Sequence, residues 1–148
     1  MYKHILIPTD GSELASHAVT QGLSLAKAVG AKVSLIVVEP PFDAFHIRES
    51  RSRHLDEEFQ KHSEHARKHA DAVLTVAADK AKASGVQCET LQVEHEHPYQ
   101  AIIKAASDKG CDLIVMASHG RSGISAILLG SVTSKVLTHT KMPVLVCH

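Results

Sequence analysis

Tryptophan is absent from this 148-residue chain, and the other aromatics are few, with two Tyr and three Phe. Recognition of single-stranded nucleic acid relies on aromatic rings that stack on bases, so that function class is excluded. Net charge is also lacking: 16 basic residues balance 16 acidic ones. No electrostatic footprint for DNA, RNA or an anionic membrane is present. Long apolar runs are missing too, and no stretch approaches the roughly 20 residues that a membrane span needs. Met1-Tyr2-Lys3-His4 leads directly into a strand-like run, which predicts no signal peptide and a cytoplasmic location. The cysteines, Cys88, Cys111 and Cys147, are three in number, far apart and without a CxxC pair. They read as buried thiols in a reducing cytoplasm rather than as a redox or disulfide pair.

What is present is an alternation of strand and helix signals. Ile5-Leu6-Ile7-Pro8 is a short apolar run that ends in the turn cluster Thr9-Asp10-Gly11-Ser12. Ser12 is a helix-start residue, and Ala15, Val19, Leu23 and Ala26 recur at helical spacing until Gly30. A second strand, Val33 to Val38, closes at Glu39-Pro40-Pro41, and the mixed segment from Phe42 to Arg53 reads as a mobile surface stretch. A long polar helix is predicted from about Leu55 to Ser84, with Phe59, Ala66, Ala70, Val73, Leu74 and Ala77 facing inward. Val86 to Val93 follows as a strand, Pro98 to Gly110 as a helix and Leu113 to Met116 as a strand. A helix from about Val132 to Thr138 and a strand from Met142 to Val146 complete the chain. Apolar strands separated by helices imply one α/β domain spanning 1–148, a doubly wound five-stranded parallel sheet of Rossmann-like type covered on both faces. A chain of this length can bury about two-thirds of its unfolded surface.

The chemistry concentrates after the fourth strand. Ala117-Ser118-His119-Gly120 is followed nine residues later by Gly130-Ser131-Val132-Thr133, which opens a helix. Small residues let backbone amides approach an anion, and the helix start adds unpaired donors and a positive dipole end. If the first and fourth strands flank the point where the winding reverses, Asp10 and this loop face one crevice. Asp10 suits a hydroxyl acceptor role, as for a ribose, although an ordinary turn acid has the same sequence. Ser131 suits a helix cap, and Arg121 is a candidate countercharge for a phosphate. No GxxxxGK[ST] loop and no GxGxxG after the first strand occurs, so classical NTPase and dinucleotide readings fail. His119 opposite Asp10 invites an acid–base pair, but no nucleophile elbow accompanies it, and no catalytic residue is assigned.

Taken together, Ile5 to Ser12, Val37-Val38-Glu39-Pro40, Cys111 to Gly120, Leu128 to Leu137 and Pro143 to Val146 resemble the universal stress protein family over nearly the whole chain. The resemblance implies an adenine-nucleotide-alpha-hydrolase-like fold, an ATP site and a regulatory role in stress response, with at most slow ATP hydrolysis. ATP-binding members carry Gly, two residues, Gly, nine residues, then Gly-Ser or Gly-Thr. Gly120 and Gly130-Ser131 match that pattern, with Arg121 to Leu129 between them, and Ala117 stands where the first glycine would be. The implied nucleotide site comprises Pro8, Thr9, Asp10, Val38, Met116, Ala117, Gly120, Arg121, Gly123, Gly130, Ser131, Val132 and Thr133. Within it Asp10 would take the ribose, the Val38 backbone the adenine, and Ser131, Val132 and Thr133 the phosphates, with Mg²⁺ accompanying the triphosphate. A homodimer through the C-terminal strand is implied as well. Two alternatives stay open. One is a nucleotide-free dimeric interaction protein. The other is a histidine-rich metal-binding protein, suggested by twelve histidines that include His62, His65 and His69 on one helix face, with His95 and His97 beside a strand exit.

Overall fold

A computed structural model describes residues 1–41, 52–120 and 129–148, with side chains in the second segment described from Asp56 onward. The elements alternate: β1 (His4–Pro8), α1 (Glu13–Val29), β2 (Lys32–Glu39), α2 (Ser52–Ser84), β3 (Cys88–Glu94), α3 (Pro98–Asp108), β4 (Leu113–Ala117), α4 (Ser131–His139) and β5 (Val144–Cys147). The five strands form one sheet in the order β3-β2-β1-β4-β5, and each neighbouring pair is parallel. The doubly wound architecture expected from the apolar runs is therefore present. The winding reverses between β1 and β4, which lie side by side through Ile5–Leu113 and Leu6–Ile114.

Successive strand residues serve opposite faces, as the pleat requires. Ile5 and Ile7 of β1 and Val33, Leu35 and Val37 of β2 join α1 and α2 in one core. Leu6, Ile36, Ile114 and Met116 pack with Ile102 and Ala106 of α3 and Val136 of α4 in the other. Ser12 caps α1, its side chain accepting from the Ala15 amide, and Gly30 in a left-handed conformation ends the helix.

Boundaries shift by a few residues, and two expectations change. The predicted inward stripe of α2 holds for Ala70, Leu74 and Ala77, which are buried with Ala81, but Phe59 is 49% exposed. Thirty-three residues make a helix of roughly 50 Å, longer than the strands it covers, so its amino-terminal part has no sheet to pack on. Ser131 is the first residue of α4 rather than its cap, because Gly130 holds the cap position without a side-chain bond. The predicted surface segment from Phe42 lies outside the described residues as far as Arg51, and α2 begins at Ser52.

Candidate functional site

Both segments singled out in the sequence emerge at the carboxyl ends of adjacent strands, where open parallel sheets place their ligand crevices. A cavity of about 370 Å³ opens there, lined by Pro8, Thr9 and Asp10 at the end of β1, Ile36 and Val38 on β2, and Met116, Ala117, His119 and Gly120 at the end of β4 and just beyond it. The start of α4 (Gly130 to Thr133, with Leu129) and Pro98 and Ile102 of α3 complete the wall. Its volume falls within the ~300–1,000 Å³ usual for small-molecule sites. Eleven of the thirteen residues expected at the site are thus gathered around one cavity. Arg121 and Gly123 fall among residues 121–128, outside the described residues.

The β1–α1 turn aims Asp10. Thr9 is pinned to β2 by its amide, which donates to the Ile36 carbonyl at 2.9 Å, and the Asp10 carboxylate accepts from the Ser12 amide at 2.9 Å. Gly11 adopts φ +80°, and a Cβ there would lie 2.7 Å from Val73 of α2. Glycine is required at this turn both for the backbone and for the space.

Opposite Asp10, the second loop is anchored at each end. The Ser118 amide donates to the Cys147 carbonyl at 2.8 Å, and the Ser118 carbonyl accepts from the Gly130 amide at 2.6 Å. The Thr133 hydroxyl donates to the Ala117 carbonyl at 2.8 Å, tying α4 to the end of β4. That hydroxyl is buried and engaged, so Thr133 offers an incoming anion its amide rather than its side chain. The first bond of the α4 ladder runs from the Ser134 amide to the Gly130 carbonyl at 3.0 Å. The amides of Ser131, Val132 and Thr133 precede that ladder and stand at the positive end of the helix dipole.

The glycines of this loop are needed for close approach rather than for a left-handed backbone. A Cβ on Gly120 would sit 2.7 Å from Asp10 Oδ2, and one on Gly130 would lie 3.1 Å from the Ser118 carbonyl oxygen. Neither has positive φ, and among the described residues no non-glycine does. Ala117 closes β4 in register with Cys147, an ordinary strand position, so its methyl strains no backbone.

Ile36, Pro98, Ile102, Leu129, Ala15 and His119 also line the cavity but were not among the expected site residues. Pro98 and Ile102 arrive through the packing of α3 beside β2 and β1, which motif spacing does not report. The histidine alternative finds less support. His69 Nε2 stands 3.8 Å from Glu39 Oε1, His62 and His65 are exposed, and no cluster of three or more metal-ligating side chains occurs among the described residues. His95 and His97 instead build the entry to α3, the His97 amide donating to His95 Nδ1 at 2.8 Å. Burial pushes the thiols of Cys88 and Cys147 up. Cys111 rises to about 11 through burial with the carboxylates of Glu89 and Asp112 beside it. Raised in this way, the thiols disfavour the nucleophilic thiolate form.

A parallel doubly wound sheet, an acid after the first strand and a glycine loop feeding a helix after the fourth define the class of α/β proteins that bind small ligands at a topological switch point. Within that class the chain belongs to the universal stress protein family, whose profile matches residues 1–148. It is 33% identical over 148 residues to universal stress protein MJ0531 of Methanocaldococcus jannaschii, covering 99% of this chain and 82% of the relative. It is 31% identical over 147 residues to universal stress protein YxiE of Bacillus subtilis, covering 99% of both. A solved universal stress protein in complex with cAMP is similar at 28% identity and a TM-score of 0.69, over 99% of this chain and 97% of that one.

Proposed function

We propose that this protein binds ATP in the crevice between β1 and β4 and serves as a nucleotide-dependent regulatory module of the stress response in the cytoplasm. The observation that carries this reading is the meeting of Asp10 with the glycine loop. The Gly120 backbone comes so close to the Asp10 carboxylate that a single added carbon would strike it. The carboxylate would accept from ribose hydroxyls, and its charge keeps phosphates away from that end. The amides at the start of α4 would take the phosphates. The apolar wall of Val38, Ile36, Pro98 and Ile102 suits a purine base, and a similar universal stress protein is known in complex with cAMP.

Asp10 is the one acid in the described lining. A divalent cation would therefore be held chiefly by the phosphates, as Mg²⁺ usually is, and would neutralise their charge there. Among the described residues the lining holds no nucleophile with an adjacent base, which favours a switch over an efficient hydrolase. The free edge of β5, where Leu145 is 42% exposed, supports a homodimer through this strand, since pairing would cover an apolar edge.

The test is to purify the protein, release its contents by heat and identify any nucleotide, and then to repeat the measurement with Ser131→Asp. An acid in the first turn suits the helix dipole, so folding should persist, while its charge would repel phosphate and weaken ATP by about tenfold or more. Unchanged ATP affinity in Ser131→Asp would remove phosphates from the start of α4.

A further inference from the structure

His119 occupies an unusual place in the β4–α4 loop. Its neighbour Ser118 is almost fully buried and held at both backbone groups, to Cys147 and to Gly130, so the ring is carried on a rigid base. One ring nitrogen, Nδ1, shares a hydrogen bond of 3.0 Å with Ser118 Oγ. The other, Nε2, is shielded from solvent and has no hydrogen-bond partner among the described residues. His119 is also one of the residues that line the crevice, alongside Gly120, Gly130 and Ser131. A shielded imidazole nitrogen left unpaired is unfavourable. A buried imidazole is ordinarily satisfied at both nitrogens, as at His4, which is hydrogen-bonded to Ser34 and to the Lys109 backbone.

We infer that His119 is a phosphate-reading residue: its Nε2–H donates to a phosphate oxygen of the bound nucleotide and so favours nucleotides over nucleosides. When the Ser118 hydroxyl donates to Nδ1, the neutral ring carries its proton on Nε2, and the protonated ring carries one there as well. Either form is a donor, and a donor pairs most strongly with the charged oxygens of a phosphate. The ring can turn about its broad terminal torsion to meet the ligand. This inference rests on the nucleotide reading of the crevice and adds to it a side-chain donor beside the backbone amides of α4.

Affinities for ATP and for adenosine, measured by calorimetry on wild type, His119→Ala and His119→Gln, test it. The expected result is an ATP affinity about tenfold weaker in His119→Ala, the scale of one charge-assisted hydrogen bond, with adenosine changed less than about twofold. His119→Gln, which places an amide donor in a similar position, should recover part of the loss. In the wild type the His119 imidazole nitrogen resonances should shift on adding ATP and stay in place on adding adenosine. This readout does not depend on any variant folding. Equal weakening of ATP and adenosine, or an imidazole signal indifferent to ATP, would overturn the role of His119 while leaving the nucleotide site standing. A wild type that binds neither ligand would instead overturn the nucleotide reading and this inference with it.

Discussion

The two ends of the parallel sheet use polar residues in opposite ways. At the amino ends of the strands, polar side chains are tied to one another. His4 Nε2 lies 2.8 Å from Ser34 Oγ, which donates to Glu89 Oε1 at 2.6 Å, while Lys109 Nζ holds the other Glu89 oxygen at 3.0 Å. Beside them the Asp112 carboxylate accepts from the amides of Lys3 and His4, at 2.8 and 3.1 Å, fastening the start of β1 to the start of β4. At the carboxyl ends, Asp10, His119 and the first residues of α4 are gathered around a cavity. Polar groups that answer each other stabilise a fold, whereas polar groups arranged around a space await a ligand. The comparison separates structural from functional residues without reference to residue type, since each end has its own histidine, serine and aspartate.

Four changes would break or sharpen that contrast. The largest effect on stability is expected from Asp112→Ala, which leaves two strand-start amides without their acceptor. A loss of about 2 kcal/mol should be seen in urea unfolding, with ATP affinity of the remaining folded protein unchanged. Gly120→Ala should do the reverse. Its new methyl would displace the Asp10 carboxylate and weaken ATP by about tenfold, with little change in the unfolding midpoint.

The pH dependence comes third. Burial, with Lys32 nearby, lowers the His4 pKa, so the unfolded chain takes up this proton at higher pH than the native one. The hydrogen bond from Ser34 and the Lys109 ammonium hold the Glu89 carboxyl below its usual range. Partial burial pulls Asp112 upward, but the amides of Lys3 and His4 outweigh it and leave it lowered. All three give stability that is present above their unfolded values and lost as pH falls through their native ones. Unfolding midpoints should therefore decline in two stages, below about 6.5 from His4 and below about 4 from the carboxylates. His4→Gln should flatten the first stage alone. The smallest effect belongs to Ala117→Gly. Because Ala117 is an unstrained strand residue, removing its methyl should change ATP affinity by less than about threefold, measured by calorimetry.

The layering of strands and helices was legible in the sequence because apolar runs punctuated by Gly and Pro report local structure directly. The crevice was legible as far as it consists of chain-adjacent turns. Asp10 and the described ends of the loop from Ala117 line one cavity because β1 and β4 flank the reversal, a consequence of topology. What escaped reading depends on contacts between distant segments. Pro98 and Ile102 reach the cavity only through the docking of α3. The Thr133 hydroxyl is turned inward by the Ala117 carbonyl, sixteen residues away. The His4–Ser34–Glu89 chain joins three strands and leaves no periodic trace. Phe59 was assigned inward by helical spacing, which records the face of a helix but not where the sheet beneath it ends.

The measurement that bears most directly on the nucleotide site is calorimetric titration of the nucleotide-free protein with ATP and Mg²⁺. Saturable binding of one ATP per chain, weakened by Gly120→Ala and not by Asp112→Ala, is the predicted result. No saturable binding up to about 1 mM ATP, a level at which even a weak site fills, would contradict it.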